Sequence, residues 1–96
     1  MTSPVAYKPS VPSAPVVYIC MPCPVYGDNA FQISPTVVSD EIVPLVWQIG
    51  DETGAPVIDV FSALSDLPDD FPDAVHPNAD GAALIAYAVW LVLTQN

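Results

Sequence analysis

The middle of the chain carries apolar residues at helical spacing. They recur three or four positions apart and define one face: Val38, Ile42, Leu45, Val46 and Ile49. Ser34 and Pro35 suit the N-cap and the first helical position, and Gly54 suits the left-handed position after a helix. The pattern predicts an amphipathic helix that ends near Thr53. Pro44 predicts a kink or a delayed start, because proline lacks the N–H for an i→i−4 hydrogen bond.

Two short apolar runs predict strands on either side of this helix. Residues 16–21 are nearly all β-branched, aromatic or otherwise apolar and are bounded by prolines, as is typical of a strand buried in a parallel sheet. Residues 56–60 repeat the pattern, with Asp59 near the end of the strand. In α/β proteins this position often carries a functional group. A cap on the following turn is the commoner role for such an aspartate, and residues 61–67 could form that turn.

The last segment, residues 82–94, is apolar on nearly all sides, and Asn78 is a suitable N-cap before it. Such a helix is normally buried against several neighbours, and one helix and two strands are too few to cover it. The order strand, helix, strand, helix predicts an α/β fold. Specifically, we expect part of a doubly wound, flavodoxin-like parallel sheet that lacks its N-terminal half.

Composition divides the chain into two parts. Residues 1–15 hold four prolines and several serines and predict an extended lead-in, whereas residues 16–96 form the predicted half-domain. No apolar stretch typical of a signal peptide occurs in residues 1–13. A chain of 96 residues buries only about 60 to 65% of the surface that its unfolded chain exposes, so the predicted half-domain would gain stability from a partner surface.

Charge excludes several partners. The formal net charge is −10, Lys8 is the sole cation and arginine is absent, so a phosphate backbone would be repelled and an anionic substrate could not be clamped. Nucleic acid is therefore excluded, and anionic membranes are disfavoured. The longest apolar run, residues 82–93, is shorter than the roughly 20 residues that span a bilayer. Asp40, Glu41, Asp51 and Glu52 are predicted to form the solvated face of the central helix.

Cys20 and Cys23 stand at C-x-x-C spacing after the first predicted strand. This spacing allows a redox pair, but prolines flank Cys23 and no helix signal follows directly. A zinc site would lack ligands even with His76 included. Ordinary cysteines at a strand end are the simplest interpretation, and we expect neither a metal nor a cofactor.

Asp73 and His76, the only histidine, form the strongest chemical signal. A carboxylate bonded to Nδ1–H of an imidazole leaves Nε2 free to take a proton from a nucleophile. The loop then enters an apolar helix through Pro77 and Gly81. This arrangement predicts an acid/base pair, with His76 as the base and Asp73 as its orienting partner.

Asp73, His76, Pro77 and Gly81 resemble the last conserved block of the SGNH (GDSL-type) serine hydrolases. Residues 17–22 and 52–59 resemble later elements of its acetylesterase-like members, so the resemblance covers roughly residues 16–94. It implies that Asp73 and His76 are two members of a catalytic triad. The nucleophile and oxyanion-hole blocks of the family are absent. Gly27-Asp28-Asn29 comes nearest to Gly-Asp-Ser, with Asn29 at the serine position, and Ser62 and Ser65 lie in no strand-to-helix elbow.

The resemblance implies a hydrolase of small acyl esters, such as acetyl groups on carbohydrate, that works through an acyl-serine. It also places Tyr26 and Phe31 near the rim of the active site, where they could line an acyl or sugar pocket or only cover the end of the sheet. Two alternatives remain open. One is a non-catalytic half-domain that acts through association with its missing half, another chain or a second copy. The other is a small C-x-x-C redox module.

Overall fold

Two short parallel strands form the sheet of this protein. The structure is a computed structural model that describes residues 16–95, and the predicted lead-in at residues 1–15 lies outside them. Strand β1 (Ile19–Cys20) pairs with β2 (Val57–Ile58), with Ile19 opposite Val57. The parallel pairing agrees with the prediction, but both strands are shorter than predicted. Val16 and Val17 lie exposed outside the ladder, and β2 ends where Asp59 caps a helix.

A continuous helical stretch connects the two strands. It comprises α1 (Pro35–Val37), a π-helical turn (Val38–Ile42) and α2 (Val43–Thr53). The Ser34 hydroxyl accepts a hydrogen bond from the Val37 amide at 3.2 Å, which confirms the predicted N-cap. Gly54 ends the stretch with φ of 74°, a conformation that glycine adopts without steric cost. Both predicted ends of the helix are therefore confirmed.

The irregularity predicted at Pro44 takes the form of the π-helical turn. The Val43 amide donates to the Val38 carbonyl, five residues back, immediately before the proline. Single π-helical turns, with hydrogen bonds that span five residues instead of four, occur as bulges inside α-helices. The helix therefore continues past Pro44, which has no N–H to donate to a carbonyl four residues back.

Side-chain caps start the two helices after β2. Asp59 caps α3 (Val60–Ala63): its carboxylate accepts from the Ser62 amide at 3.1 Å and from the Ser62 hydroxyl at 2.7 Å. Capping is thus the role that the structure gives Asp59. Asn78 accepts from the Gly81 amide at 3.0 Å and caps α4 (Ala79–Thr94), which begins three residues before the predicted start.

The core lies where α2, α3 and α4 meet β2, and its buried side chains are Met21, Ile58, Val60, Leu64 and Phe71. Outside this core, α4 exposes a row of large apolar side chains: Leu84, Tyr87, Trp90 and Leu93. The described residues therefore bury only one side of α4. The molecule is a mixed α/β protein with a two-stranded parallel sheet. No helix within residues 16–95 combines the length and the apolarity needed to cross a membrane.

Candidate active site

A closed loop carries Asp73 and His76. It runs from a 3-10 turn (Pro68–Asp70) to the start of α4, and the Asn78 amide closes its base by donating to the Asp70 carbonyl at 2.7 Å. Ala74 lies at the tip with φ of 71°, and its carbonyl accepts from the Tyr26 amide at 2.9 Å. This second hydrogen bond joins the loop to the segment that follows β1. The loop that carries Asp73 and His76 is therefore held by backbone hydrogen bonds at its base and at its tip.

Asp73 uses both carboxylate oxygens. Its Oδ1 accepts from the backbone amides of His76 at 2.6 Å and Val75 at 2.9 Å, and its Oδ2 lies 2.7 Å from His76 Nδ1. These donors lower the pKa of Asp73 from 3.8 to about 2, with the His76 amide contributing most, followed by the imidazole and the Val75 amide. Asp73 is therefore an anion at neutral pH.

The geometry assigns the tautomer of neutral His76. An ionised carboxylate only accepts hydrogen bonds, so Nδ1 must carry the proton that Oδ2 receives, and Nε2 keeps its lone pair. The His76 side chain is 65% exposed. Among the described residues, no group hydrogen-bonds to Nε2. The arrangement can accept a proton at Nε2 and stabilise the resulting imidazolium through Asp73.

The two aromatic residues predicted at the rim lie in different surroundings. The Phe31 ring contacts the His76 ring edge-on, with centroids 5.0 Å apart and planes at 76°. The Tyr26 ring packs on Phe71 within the core, and its hydroxyl donates to the Leu64 carbonyl and accepts from the Leu67 amide at 3.1 Å. Phe31 thus adjoins the acid/base pair, while both the ring and the hydroxyl of Tyr26 are engaged inside the protein.

Pro77 and Gly81 bring the loop against the first turn of α4. A Cβ atom on Gly81 would lie 2.8 Å from Cβ of Pro77 and 3.5 Å from Cβ of Asp70. Real Cβ atoms do not approach this closely, so the glycine permits the contact. The loop that carries the contact between Asp73 and His76 therefore packs closely on the start of α4 through Pro77 and Gly81.

No serine among residues 16–95 contacts His76. The hydroxyls of these four serines are engaged locally: Ser34 with Val37 and Thr36, Ser39 with Asp40, Ser62 with Asp59, and Ser65 with the Phe61 carbonyl. The described part of the chain therefore brings His76 and Asp73 together without a serine beside them.

The cysteines and carboxylates form no second site in this part of the chain. Burial raises the pKa of the Cys23 thiol, with a smaller contribution from Cys20, which works against the thiolate that redox chemistry needs. Cys20 itself is exposed. Within the described range, no three histidine, cysteine, aspartate or glutamate side chains are grouped to hold a metal ion.

The sequence did not reveal the importance of Asn29. Gly27, Asp28 and Asn29 indicate a turn, but the Asn29 side chain makes four hydrogen bonds that shape the loop carrying Phe31. An asparagine two residues before an exposed aromatic residue, in a loop rich in turn formers, is the signal that could have indicated this. Its spatial link to His76 depends on the folding of distant segments.

Comparison with known proteins gives one informative match. The chain is 30% identical over 76 residues to an acetylxylan esterase from Xylanibacter ruminicola (strain ATCC 19189 / DSM 19721 / CIP 105475 / JCM 8958 / 23). The match takes in 78% of this chain and 16% of that esterase, so the chain spans about a sixth of the length of this relative. No protein-family model matches the chain, and no solved structure is significantly similar to it. The match indicates an esterase-like relationship.

Proposed function

We propose that this chain supplies the proton-transfer pair of a carboxylic ester hydrolase of the SGNH type. The observation that carries the proposal is the 2.7 Å contact between His76 Nδ1 and Asp73 Oδ2, on an imidazole side chain that is 65% exposed. The doubly wound sheet of such a hydrolase, with residues 16–95 as its C-terminal part, belongs to the same proposal. The similarity to an acetylxylan esterase supports it.

In this reaction His76 is the general base and then the general acid. Nε2 takes the proton of a serine hydroxyl as its oxygen attacks the ester carbonyl, and Asp73 stabilises the imidazolium. When the carbon–oxygen bond of the ester breaks, Nε2 returns that proton to the departing alcohol and an acyl-serine remains. Water, deprotonated by Nε2 in turn, then releases the acid and regenerates the serine. The low pKa of Asp73 keeps it ionised throughout this cycle.

The nucleophile and the oxyanion donors would come from polypeptide outside residues 16–95. All four serines within that range are engaged locally and none contacts His76. Backbone N–H groups and a side-chain amide would have to be arranged around the same ester carbonyl, because removing such donors costs about 10²–10³ in rate. The site is thus proposed to be shared between this segment and further protein.

The resemblance implies the proposed substrate class, and the charge of the chain and the aromatic neighbour of His76 support it. With Lys8 as the sole cation, the chain offers no clamp for a strongly anionic substrate. A small acyl ester, such as an acetyl group on a carbohydrate, carries no charge and suits this surface. Phe31, which is 51% exposed beside His76, would form an apolar wall for the acyl or sugar group. A substrate-lining role of Tyr26 stays a prediction.

A second candidate function is association without catalysis by this chain. The exposed row on α4 (Leu84, Tyr87, Trp90 and Leu93) favours it, since large contiguous apolar surface is typical of interaction sites. A second copy is a poor partner for this exposed row, because two copies that each carry a net charge of −10 would repel each other. A monomer that melts cooperatively on its own would count against this candidate.

Segment exchange tests the proposed esterase function. The matched 76-residue segment of the Xylanibacter ruminicola esterase would be replaced by the corresponding segment of this chain, and release of acetate from acetylated xylan would be measured. A chimera that folds, by its circular dichroism and melting transition, is expected to retain activity. His76→Ala should then reduce kcat by several orders of magnitude. Asp69→Asn, which removes one formal charge from the same loop, is the matched control for Asp73→Asn.

Labelling of the chain itself complements the exchange. A fluorophosphonate reacts with an activated serine, and intact mass reports the adduct. In the unfused chain we expect no adduct, and in the chimera one adduct that disappears with His76→Ala. A folded chimera that labels and turns over equally well with His76→Ala would rule out His76 as the base. An adduct on the unfused chain would show that the nucleophile lies within these 96 residues.

A further inference from the structure

One hydrogen bond and one ring contact hold the His76 imidazole. Nδ1 is bound by Asp73, three residues earlier in the same loop, and the second contact comes from the distant residue Phe31. An imidazole that is 65% exposed can rotate about its side-chain bonds, because water competes for Nδ1 whenever the ring turns away from Oδ2. The contact with the Phe31 ring, which belongs to a different loop, restricts this rotation.

The loop that carries Phe31 is ordered by the Asn29 side chain. Oδ1 accepts from the amides of Phe31 at 3.0 Å and Ile33 at 3.2 Å, and Nδ2 donates to the carbonyls of Gly27 and Ile33 at 2.9 Å each. The Gln32 amide also donates to the Asn29 carbonyl at 3.2 Å. One side chain thus satisfies backbone groups on both sides of Phe31 and fixes the direction of this residue.

Phe31 is not explained by the core. Its side chain is 51% exposed and it lies outside the buried cluster and the residues packed on it. An edge-on aromatic contact at 5.0 Å is a favourable geometry for two rings. The described residues therefore place a half-exposed ring where its one aromatic neighbour is the imidazole of the acid/base pair.

We propose that Phe31, held in place by Asn29, is a positioning residue that keeps the His76 ring in the orientation in which Nδ1 binds Asp73 and Nε2 faces outward. The role as a positioning residue for catalysis rests on the proposed function. The orientation of the imidazole can be tested without any activity. When the ring rotates away from Asp73, the neutral imidazole loses the partner that fixes its proton on Nδ1, so the Nε2–H tautomer becomes populated.

The test is nitrogen NMR on the full chain, in which His76 is the sole histidine and gives the only imidazole signals. Long-range proton–nitrogen spectra, recorded at a pH where the ring is neutral, report the ratio of the two tautomers. Phe31→Ala and Asn29→Ala are expected to raise the Nε2–H to Nδ1–H ratio about two- to tenfold, the equivalent of one lost aromatic contact. Phe31→Tyr keeps the ring and is expected to restore the native ratio.

Two further variants separate positioning from general disturbance. Tyr87→Ala removes an aromatic side chain of similar exposure whose ring neighbour is Trp90, and it is expected to leave the ratio unchanged. Asn29→Asp keeps both acceptor hydrogen bonds from Phe31 and Ile33 and is expected to shift the ratio less than Asn29→Ala. Amide spectra of each variant confirm that residues of α4 keep their native shifts.

The possible outcomes distinguish this proposal from the proposed function. A native tautomer ratio in folded Phe31→Ala and Asn29→Ala would overturn the positioning role, even if His76→Ala abolished esterase activity in the chimera. A shifted ratio, together with chimera activity that does not depend on His76, would overturn the proposed function but leave the role of Phe31 in orienting the imidazole. A shift equally large in Tyr87→Ala would also overturn the positioning role.

Discussion

Gly81 and Pro77 lie so close that a Cβ atom on Gly81 would be 2.8 Å from Cβ of Pro77. Gly81 lies in the first turn of α4, where the loop that carries Asp73 and His76 packs on this helix, and its amide donates to the cap residue Asn78 at 3.0 Å. A side chain at position 81 would push the loop away from the helix. The spacing between histidine, proline and glycine in this motif is therefore a packing requirement as well as a chemical one.

The first prediction concerns this contact. Gly81→Ala is expected to lower the free energy of unfolding by up to about 2 kcal/mol, because overpacking costs about 1–3 kcal/mol and alanine gains roughly 1 kcal/mol over glycine within a helix. Denaturant unfolding measures the change. Pro77→Gly removes the opposing Cβ atom, so Gly81→Ala should cost less in that background. Equal costs in both backgrounds would contradict the packing argument.

The second prediction concerns pH. The pKa of Asp73 is about 2 in the folded chain against an ordinary 3.8, so its contribution to stability is fully present above about pH 4 and is lost as the pH falls from 4 towards 2. The difference in free energy of unfolding between the native chain and Asp73→Asn should therefore shrink across this window. Asp69→Asn provides the same loss of formal charge. If the difference in free energy of unfolding stays constant from pH 6 to pH 2, the lowered pKa of Asp73 would be contradicted.

The third prediction concerns the Tyr26 hydroxyl. Tyr26→Phe leaves the Leu64 carbonyl and the Leu67 amide without their partner, which should cost about 1–3 kcal/mol of stability. The backbone bond from the Tyr26 amide to Ala74 remains, so the His76 tautomer should not change. Tyr87→Phe, which removes an exposed hydroxyl, is the matched control and should cost close to nothing. A tautomer change in Tyr26→Phe would show that the core and the acid/base pair are coupled.

The fourth prediction concerns the two thiols. Cys20 is exposed, whereas Cys23 is half-buried with a raised pKa, so iodoacetamide should alkylate Cys20 before Cys23. Peptide mass mapping of a timed reaction gives the order. Cys20→Ser and Cys23→Ser are each expected to leave the esterase activity of the chimera unchanged. Loss of activity in a folded chimera with either substitution would contradict this expectation.

Local signals in the sequence predicted the helix ends and the contact between Asp73 and His76, whose catalytic role stays a prediction. The caps at the helix ends bind backbone groups only a few residues away in the chain, as seen for Ser34, Asn78 and Gly54. The spacing of Asp73 and His76 likewise places both in one loop. The strands were predicted too long because apolar residues such as Val16 indicate only that a segment is suited to burial. A β-ladder also needs a neighbouring strand of the same length, and only two residues of each strand are paired.

The contacts that complete the candidate site could not be predicted, since they join segments far apart in the chain. The Tyr26 amide donates a hydrogen bond to the Ala74 carbonyl. Because this bond joins backbone groups, the side chains at the two positions do not indicate it. The Phe31 ring contacts the His76 ring only when the chain has folded and brought their two loops together. The role of Asp59 shows the converse case, in which a short-range cap was sufficient to explain a carboxylate in a position typical of functional groups.

Both tryptophans lie on helix surfaces, where Trp47 is 44% exposed and Trp90 is 56% exposed. Their emission should accordingly be near that of indole in water already in the folded chain. Intrinsic fluorescence would then report unfolding of the buried core weakly, and a far-ultraviolet signal is the better probe of stability. Conversely, a blue shift of the emission maximum would report directly that another surface has covered α4 or α2.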